Sequence, residues 1–141
     1  MKVRITRLDP SFPLPSAETA GAAGFDLSAA ADVTIAPGAV VLIPTGLIIK
    51  VPDGYFLGIF ARSSTPFKRG LMVANGVGVI DADYCGPQDE VKVQVLNFTA
   101  APVQVSRGDR IAQGIFLKYT APEWDEGEPS ATTRGGFGST G

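Results

Sequence analysis

Residues 75–87 hold the side chains of this chain that are best suited to chemistry. Two carboxylates and a phenol, Asp81, Asp83 and Tyr84, follow directly after a short apolar run. Carboxylates and phenols can move protons or orient water beside a reacting group. If the chain is extended here, Asp81 and Asp83 project from one face and Tyr84 from the other. A purely structural role is the alternative interpretation, because Asp next to glycine commonly shapes a turn.

The composition narrows the chemistry that is available. The 141 residues contain no histidine, which excludes a Ser-His-Asp triad, an imidazole base and a histidine zinc site. Cys85 is the single cysteine, so an intrachain disulfide cannot form and a reducing compartment is the simplest setting. Catalysis must therefore rest on Asp, Glu, Tyr, Arg, Lys, Ser or a metal ion held by oxygen.

The charge balance indicates which partners to expect. Lys and Arg number 12 and Asp and Glu 14, for a net charge of -2, which argues against nucleic-acid binding through a broad basic face. A small anionic ligand held by a few local cations remains possible. The first twenty residues lack the apolar core of a signal peptide, and no apolar run is long enough to span a bilayer. We therefore predict a cytoplasmic protein with neither a nucleic-acid nor a membrane partner.

The elements that must position these residues are mostly short β-strands. Apolar alternation and turn residues predict strands at 1–8, 33–35, 40–43, 47–51, 55–60, 77–80, 91–95, 103–105 and 111–119. One very short helix is predicted after Arg62 and Ser63, with Thr65 as its cap, Pro66 at its first position and Gly70 at its end. Many short strands with almost no helical periodicity predict an all-β sandwich or barrel.

Two further sets of residues suggest an anionic ligand, while a third position, Asp26, does not. Arg62, Ser63 and Ser64 place a guanidinium and two hydroxyls at the predicted helix start, where an anion is favoured, although a cap with a solvated Arg is the alternative. Gln113 offers an amide donor, although it also fits an exposed strand position. Asp26, among alanines and glycine, is by default a turn-forming residue.

The glycine-rich terminus, residues 134–141, is another segment that suits an anionic ligand. It carries one cation, one aromatic ring and two hydroxyls, which suit closure over a base and its phosphates; they are Arg134, Phe137, Ser139 and Thr140. A disordered terminus is the alternative.

Taken in order, five segments resemble the five motifs of the trimeric dUTPase family, the deoxyuridine triphosphate nucleotidohydrolases. They are Ala-Gly-Phe-Asp-Leu-Ser-Ala-Ala (23–30), Ala-Arg-Ser-Ser (61–64), Gly-Val-Ile-Asp-Ala-Asp-Tyr-Cys-Gly (78–86), Arg-Gly-Asp-Arg-Ile-Ala-Gln (107–113) and Arg-Gly-Gly-Phe-Gly-Ser-Thr-Gly (134–141). The resemblance implies a β jelly roll at residues 1–120, and an arm at 121–141 that closes over a neighbouring active site. It further implies a homotrimer with active sites at subunit interfaces, and Mg²⁺-dependent hydrolysis of dUTP to dUMP and pyrophosphate.

The resemblance also implies a role for each motif residue. Asp81 would orient the attacking water, and Tyr84 would pack beneath the deoxyribose and exclude a ribose. The residues that would recognise uracil are Asn75, Gly78, Val79 and Ile80. The residues that would hold the phosphates are Arg62, Ser63, Ser64 and Gln113. The tail would add Arg134, Ser139 and Thr140 at the phosphates, with Phe137 and Gly138 over the uracil. Asp26 would be an outer-shell residue, near either the waters of the Mg²⁺ or a phosphate-binding Arg. Triphosphate oxygens and water would hold the Mg²⁺ without a direct protein ligand.

The departures from the family pattern are few, and they remove none of these groups. Ala61 stands where Pro or Gly is commoner, Phe25 where Tyr often stands, and Cys85 where a polar or basic residue is frequent.

Three alternatives remain open at this point. A dCTP deaminase on the same fold would need a Glu and an Arg at the cytosine ring, where this chain has Asp-Ala-Asp-Tyr. A non-catalytic dUTPase-like binding module would not require the intact Asp81. A glycosidase could use Asp81 and Asp83, which on a strand would lie roughly 6.5–7 Å apart, but the chain has only one Trp to form a sugar platform.

Overall fold

The computed structural model describes residues 1–129, 132–133 and 135–136, which fold into short β-strands joined by tight turns. Within this part of the chain there are eleven strands and one α-helix. The strands are β1 (Arg4–Arg7), β2 (Phe25–Ser28), β3 (Val33–Ile35), β4 (Val40–Pro44), β5 (Leu47–Lys50), β6 (Tyr55–Ala61), β7 (Leu71–Val73), β8 (Gly78–Ile80), β9 (Lys92–Asn97), β10 (Val103–Val105) and β11 (Arg110–Lys118). The helix α1 is Ser64–Arg69. The prediction of an all-β chain with one very short helix is confirmed.

The strands pair antiparallel in an order that differs from their order in the sequence. A four-stranded sheet has the order β2-β11-β6-β8, and a three-stranded sheet has the order β4-β9-β7. Two smaller sheets pair β1 with β5 and β3 with β10. Partners far apart in the chain are typical of a jelly roll, and they bring the segments around residues 26, 62, 79 and 113 onto one sheet.

The core lies between the inner faces of the two larger sheets. Strand β9 shows why these residues form strands, since its side chains alternate strictly between buried and more exposed. The larger sheet contributes the buried side chains Leu27, Leu57, Ile59 and Ile111, and the smaller contributes Ile43, Leu71, Val93 and Val95. Each such side chain stabilises the fold by about 1.5–3 kcal/mol relative to exposure.

Helix α1 begins two residues earlier than predicted, and Thr65 is not its cap. Ser63 occupies the N-cap position, while Thr65 lies inside the helix and is 1% exposed. The Thr65 hydroxyl donates a hydrogen bond to the carbonyl of Ile111 at 3.0 Å, which anchors the helix to β11. The sequence could not indicate this partner because it is distant along the chain.

The end of α1 is as predicted. Gly70 terminates the helix with φ at 67°, and its N–H donates to the carbonyl of Pro66 at 3.1 Å. That left-handed conformation favours glycine. With six residues in α1, no helix of the described chain is long and apolar enough to cross a membrane.

Candidate active site

Gln113 and Asp26 face each other across the central sheet. They are directly paired in the register of β11 with β2, so their side chains project from the same face. The side-chain amide of Gln113 donates a hydrogen bond to the carbonyl of Ala61 at 3.0 Å, on the strand at the other side of β11. This contact fixes the end of β6, and Arg62 is the next residue. Asp26 therefore belongs to a strand, and the expectation of a turn-forming Asp is wrong.

Arg62 is held in place by Asp26. Its Nε atom lies 2.7 Å from Asp26 Oδ1, and the two side chains are only 23% and 17% exposed. An ion pair of this kind, partly shielded from water, holds a guanidinium more firmly than a fully exposed one does. Among the described residues, no acceptor takes a hydrogen bond from the terminal nitrogens of Arg62, which leaves these donors for a ligand.

Two hydroxyls follow Arg62 at the start of α1. The Ser63 side chain makes no capping hydrogen bond to the helix. Both serines line a cleft with a volume of about 220 Å³. The residues around the cleft are Glu18, Ala22, Gly24, Phe25, Asp26, Arg62, Ser63, Ser64 and Gln113. The structure thus brings together all four residues that the sequence predicted for phosphate binding, along with Asp26.

Arg110 does not line this cleft, but it contacts two carboxylates that do, Asp26 and Glu18, and the sequence interpretation missed it. Its Nη1 atom lies 3.1 Å from Asp26 Oδ2 and also contacts the carboxylate of Glu18. The hydrogen bond to Asp26, with the negative charge of Glu18, raises the pKa of Arg110 above its ordinary value. Its place three residues before Gln113, in a segment already singled out, was the signal that could have found it.

A second cleft, with a volume of about 120 Å³, lies where β8 meets β6 and β9. All four residues predicted for uracil recognition line it, together with Leu42, Ile59, Val73, Lys92 and Gln94. Gly78 is buried here, and a Cβ at this position would lie 3.0 Å from the Cβ of Ile59. The missing side chain therefore lets β8 approach β6 closely and leaves space in the cleft.

Asp81 and Tyr84 lie at the two ends of a tight turn that follows β8, so of the two backbone conformations considered for this stretch the turn is found and the extended chain is not. The N–H of Tyr84 donates to the carbonyl of Asp81 at 3.3 Å, and that of Cys85 donates to the carbonyl of Asp83 at 3.1 Å. Lys50 anchors the turn by donating from Nζ to the carbonyl of Ala82 at 2.9 Å. The turn leaves both carboxylates and the Tyr84 ring exposed to solvent.

The Tyr84 side chain is oriented by one contact. Its hydroxyl donates to the carbonyl of Glu90 at 3.2 Å, while 39% of the residue remains exposed. The ring therefore has a defined direction and a face open to a ligand. Cys85 beside it is a free, half-buried thiol whose sulfur lies 3.7 Å from the carbonyl of Ala82.

Comparison with known proteins decides the family of this chain. The family model described as dUTPase matches residues 11–141. The chain belongs to the dUTPase family. Among its relatives, the deoxyuridine 5'-triphosphate nucleotidohydrolase of Wolinella succinogenes is 40% identical over 144 residues, covering 100% of this chain and 95% of the relative. The enzyme of the same name from Thermobifida fusca is 46% identical, covering 100% of this chain and 79% of the relative.

Solved structures support the same assignment. The crystal structure of dUTPase from Streptococcus mutans superposes with a TM-score of 0.75 at 41% identity, covering 79% of this chain and 89% of that one. The dUTPase of Staphylococcus bacteriophage 80alpha has a TM-score of 0.86 at 22% identity, covering 99% of this chain and 98% of that one, and shows the shared fold. The jelly-roll prediction is confirmed.

Within the part of the chain that the structure describes, the residues predicted for the dUTPase site do not meet at a single cleft. The two clefts have no lining residue in common, and neither Asp81 nor Tyr84 lines either of them. Five predicted residues, Arg134, Phe137, Gly138, Ser139 and Thr140, lie outside the described residues.

The cleft residues fit a metal ion that arrives with a phosphate ligand. No group of three or more His, Cys, Asp or Glu side chains converges within the described part of the chain. The cleft carboxylate of Asp26 already accepts from Arg62 and Arg110. Mg²⁺ commonly keeps several waters and takes its remaining ligands from substrate phosphates, which suits such a donor set.

Proposed function

We propose that this protein hydrolyses dUTP to dUMP and pyrophosphate by attack of water on the α-phosphorus. The observation that carries the proposal is the family match over residues 11–141, which includes all five motif segments. Relatives that align along the whole chain are named for this activity. The reaction supplies the precursor of dTTP and keeps uracil out of DNA.

The phosphate chain would occupy the 220 Å³ cleft. Arg62 supplies terminal N–H donors and Ser63 supplies a hydroxyl that the helix does not use. Because phosphoryl transfer depends mainly on positioning and on neutralising charge, a guanidinium held rigidly by Asp26 is well suited to the task. Gln113 would fix the end of β6 through its hydrogen bond to the carbonyl of Ala61, and its side-chain amide would also donate to the phosphates at the cleft wall.

The uracil would occupy the 120 Å³ cleft. The exposed Asn75 side chain and the backbone from Gly78 to Ile80 present donors and acceptors along the cleft. Cytosine carries the opposite donor and acceptor pattern on its pairing edge, so it would leave buried polar groups unpaired. The small volume disfavours the additional methyl group of thymine.

Asp81 would orient the attacking water and Tyr84 would support the deoxyribose. The Asp81 carboxylate is exposed at the end of β8, directly beyond the uracil cleft, where a water molecule can reach it. The Tyr84 ring, directed by its bond to Glu90, would fill the space that a ribose 2′-hydroxyl needs.

The active protein would be a homotrimer with its sites at the subunit interfaces. Separate clefts within one chain support this arrangement, because phosphate and uracil residues of different chains can meet across an interface. Residues 1–120 would form the jelly-roll domain. Residues 121–141 would form an arm that brings Arg134, Phe137, Gly138, Ser139 and Thr140 over a neighbouring site, and the exposed, irregular segment 121–129 suits a linker.

Magnesium would be the cofactor, and the protein would act in the cytoplasm. Triphosphate oxygens and water would hold the ion, with Asp26 and its two arginine partners beside it. When bound, Mg²⁺ neutralises part of the charge of the phosphates.

The first experiment is to measure pyrophosphate release, with Mg²⁺, from dUTP, dCTP, dTTP and UTP in parallel. We expect turnover of dUTP alone. Ammonia release from dCTP would move the chain to the deaminase branch, and no turnover of any nucleotide by a folded trimer would indicate a binding module.

A further inference from the structure

Glu18 places a carboxylate in the wall of the cleft proposed for the phosphates. It belongs to the loop that precedes β2, and its side chain is 65% exposed. The cleft is also lined by Arg62, Ser63 and Gln113. A negative charge in a site for a polyanion opposes binding, since like charges at short range repel. Such a residue therefore needs a reason to be there.

The reason lies in the partner of Glu18. Its carboxylate accepts a hydrogen bond from Arg110 Nη1, the same nitrogen that lies 3.1 Å from Asp26 Oδ2. One guanidinium nitrogen thus serves two carboxylates. Asp26 is 17% exposed and also holds Arg62, whereas Glu18 is largely in solvent and has no second described partner. Of the two, Glu18 is the one that can be displaced.

The loop does not depend on the Glu18 side chain for its shape. Its backbone is held by a hydrogen bond from Asp26 N to Ser16 O at 3.1 Å and by another from Ala22 N to Thr19 O at 3.1 Å. The carboxylate can turn away from the cleft while these bonds persist. Exposed ion pairs are weak, so a ligand with several negative charges can outcompete this one.

We propose that Glu18 competes with the phosphate chain of the ligand for Arg110. The Glu18 carboxylate binds Arg110 when the cleft is empty and releases it when a polyphosphate binds. The inference rests on the proposed function, because it takes this cleft as the phosphate site. Glu18 thereby lowers the affinity for dUTP and for the product pyrophosphate, and it favours product release. Arg110 becomes a ligand of the phosphates only after the exchange.

The experiment is to measure binding of pyrophosphate and of the analogue α,β-imido-dUTP to the full-length wild-type protein and to Glu18→Gln, by calorimetry with Mg²⁺. The matched control is Asp53→Asn, which removes one exposed negative charge from the turn before β6. Strand β6 separates this turn from Arg62, a distance of about 30 Å in an extended strand.

We expect Glu18→Gln to bind both ligands about two- to fivefold more tightly at low salt, with Asp53→Asn unchanged. This gain in affinity should shrink at high salt, because screening weakens the repulsion between Glu18 and the ligand. The kcat of Glu18→Gln should stay within about twofold of the wild type if chemistry limits the rate, and should fall if product release limits it, because pyrophosphate is then held more tightly. Equal or weaker binding by Glu18→Gln would overturn the inference. If Glu18 instead orients Arg110 for the ligand, its loss should weaken binding. Equal gains in both variants would also overturn it, because they would reflect net charge alone.

Pyrophosphate separates this inference from the proposed function. If the wild-type protein does not hydrolyse dUTP but Glu18→Gln still binds pyrophosphate more tightly, the proposed reaction is wrong and the proposed competition between Glu18 and the phosphates is correct. If dUTP is hydrolysed and Glu18→Gln binds neither ligand more tightly, the proposed reaction is correct and the proposed role of Glu18 is wrong.

Discussion

Asp26 Oδ1 lies 2.7 Å from Arg62 Nε, so the carboxylate of one motif holds the guanidinium of another on the edge of the proposed phosphate cleft. The second oxygen of Asp26 accepts from Arg110 at 3.1 Å. One partly buried carboxylate therefore aligns two cations. In such an arrangement the loss of the carboxylate affects catalysis through the direction of the arginines.

The first prediction concerns this carboxylate. Asp26→Asn should lower kcat/KM for dUTP by about 10- to 100-fold, because a hydrogen bond to a charged group contributes about 1.5–3 kcal/mol and Arg62 loses its anchor. Steady-state kinetics with dUTP and Mg²⁺ measure the effect. Asp109→Asn is the control, since it breaks another carboxylate–arginine pair, with Arg69, that does not line this cleft. Similar losses in both variants would contradict the role of Asp26.

The second prediction assigns the water-orienting role to Asp81. Asp81→Asn should lower kcat by about 10²- to 10⁴-fold, the usual contribution of a group that activates water. Binding of α,β-imido-dUTP should change only a few-fold, because the phosphate and uracil clefts are untouched. Asp83→Asn is the matched control, as it removes the same charge from the same turn and should keep activity near that of the wild type. A rate for Asp81→Asn near that of the wild type would refute the assignment.

The third prediction tests the steric exclusion of ribose. Tyr84→Ala should raise the ratio of kcat/KM for UTP to that for dUTP by about 10- to 100-fold, because the ring no longer fills the space beside the sugar. Competition assays with both nucleotides measure the ratio. Tyr84→Phe keeps the ring and loses only the hydrogen bond to Glu90, so its discrimination should stay within a few-fold of the wild type. Unchanged discrimination in Tyr84→Ala would count against the idea.

The fourth prediction concerns the proposed arm. Deleting residues 134–141 should lower kcat by about 100-fold, because the groups that align the phosphates and cover the uracil are lost. The molecular mass in solution should remain that of a trimer, since the core residues lie within residues 27–112. Light scattering and steady-state kinetics on the truncated protein are the measurements. Full activity after truncation would show that the tail does not close over the site.

The fifth prediction concerns stability in acid. A hydrogen bond from the Arg69 guanidinium, with one from the N–H of Ser106, lowers the pKa of Asp109. Because the folded pKa lies below that of the unfolded carboxyl, about 3.9, this stabilisation is present above that pH and is lost as the pH falls through the folded pKa. Asp109→Asn should therefore lower the Tm by about 2–4 °C at pH 7.

Thermal unfolding measured from pH 7 down to below the pKa of the folded carboxyl tests whether the stabilisation by Asp109 is lost in acid. The Tm values of wild type and Asp109→Asn should differ above the pKa of the unfolded carboxyl and converge as the pH falls through the lower pKa of the folded carboxyl. Asp53→Asn removes an equal charge at an exposed turn and should show no such convergence. A difference in Tm that stays constant down to low pH would contradict the argument.

Much of the fold was predictable because strands and helix ends depend on residues that are close together in the sequence. The alternation of Val91, Val93 and Val95 with polar residues predicted a strand with one buried face, and the structure places it in β9 and the residue before it. Gly70 predicted the helix end through its left-handed backbone. Strand β2 was harder to predict, because residues 22–30 are mostly small and have no clear period.

By itself the sequence determined the fold class, the family and the chemical groups that are available, since these depend on residue types, order and spacing. Only the tertiary structure decided that Asp26 joins Arg62 to Arg110, that Thr65 bonds β11, and that Asp81 and Tyr84 occupy a turn. It also decided that the residues predicted for phosphate binding and those predicted for uracil recognition line separate clefts of one chain. Each of these features depends on how the strands pair and pack, because the partners are distant in sequence or the backbone geometry is set by its neighbours.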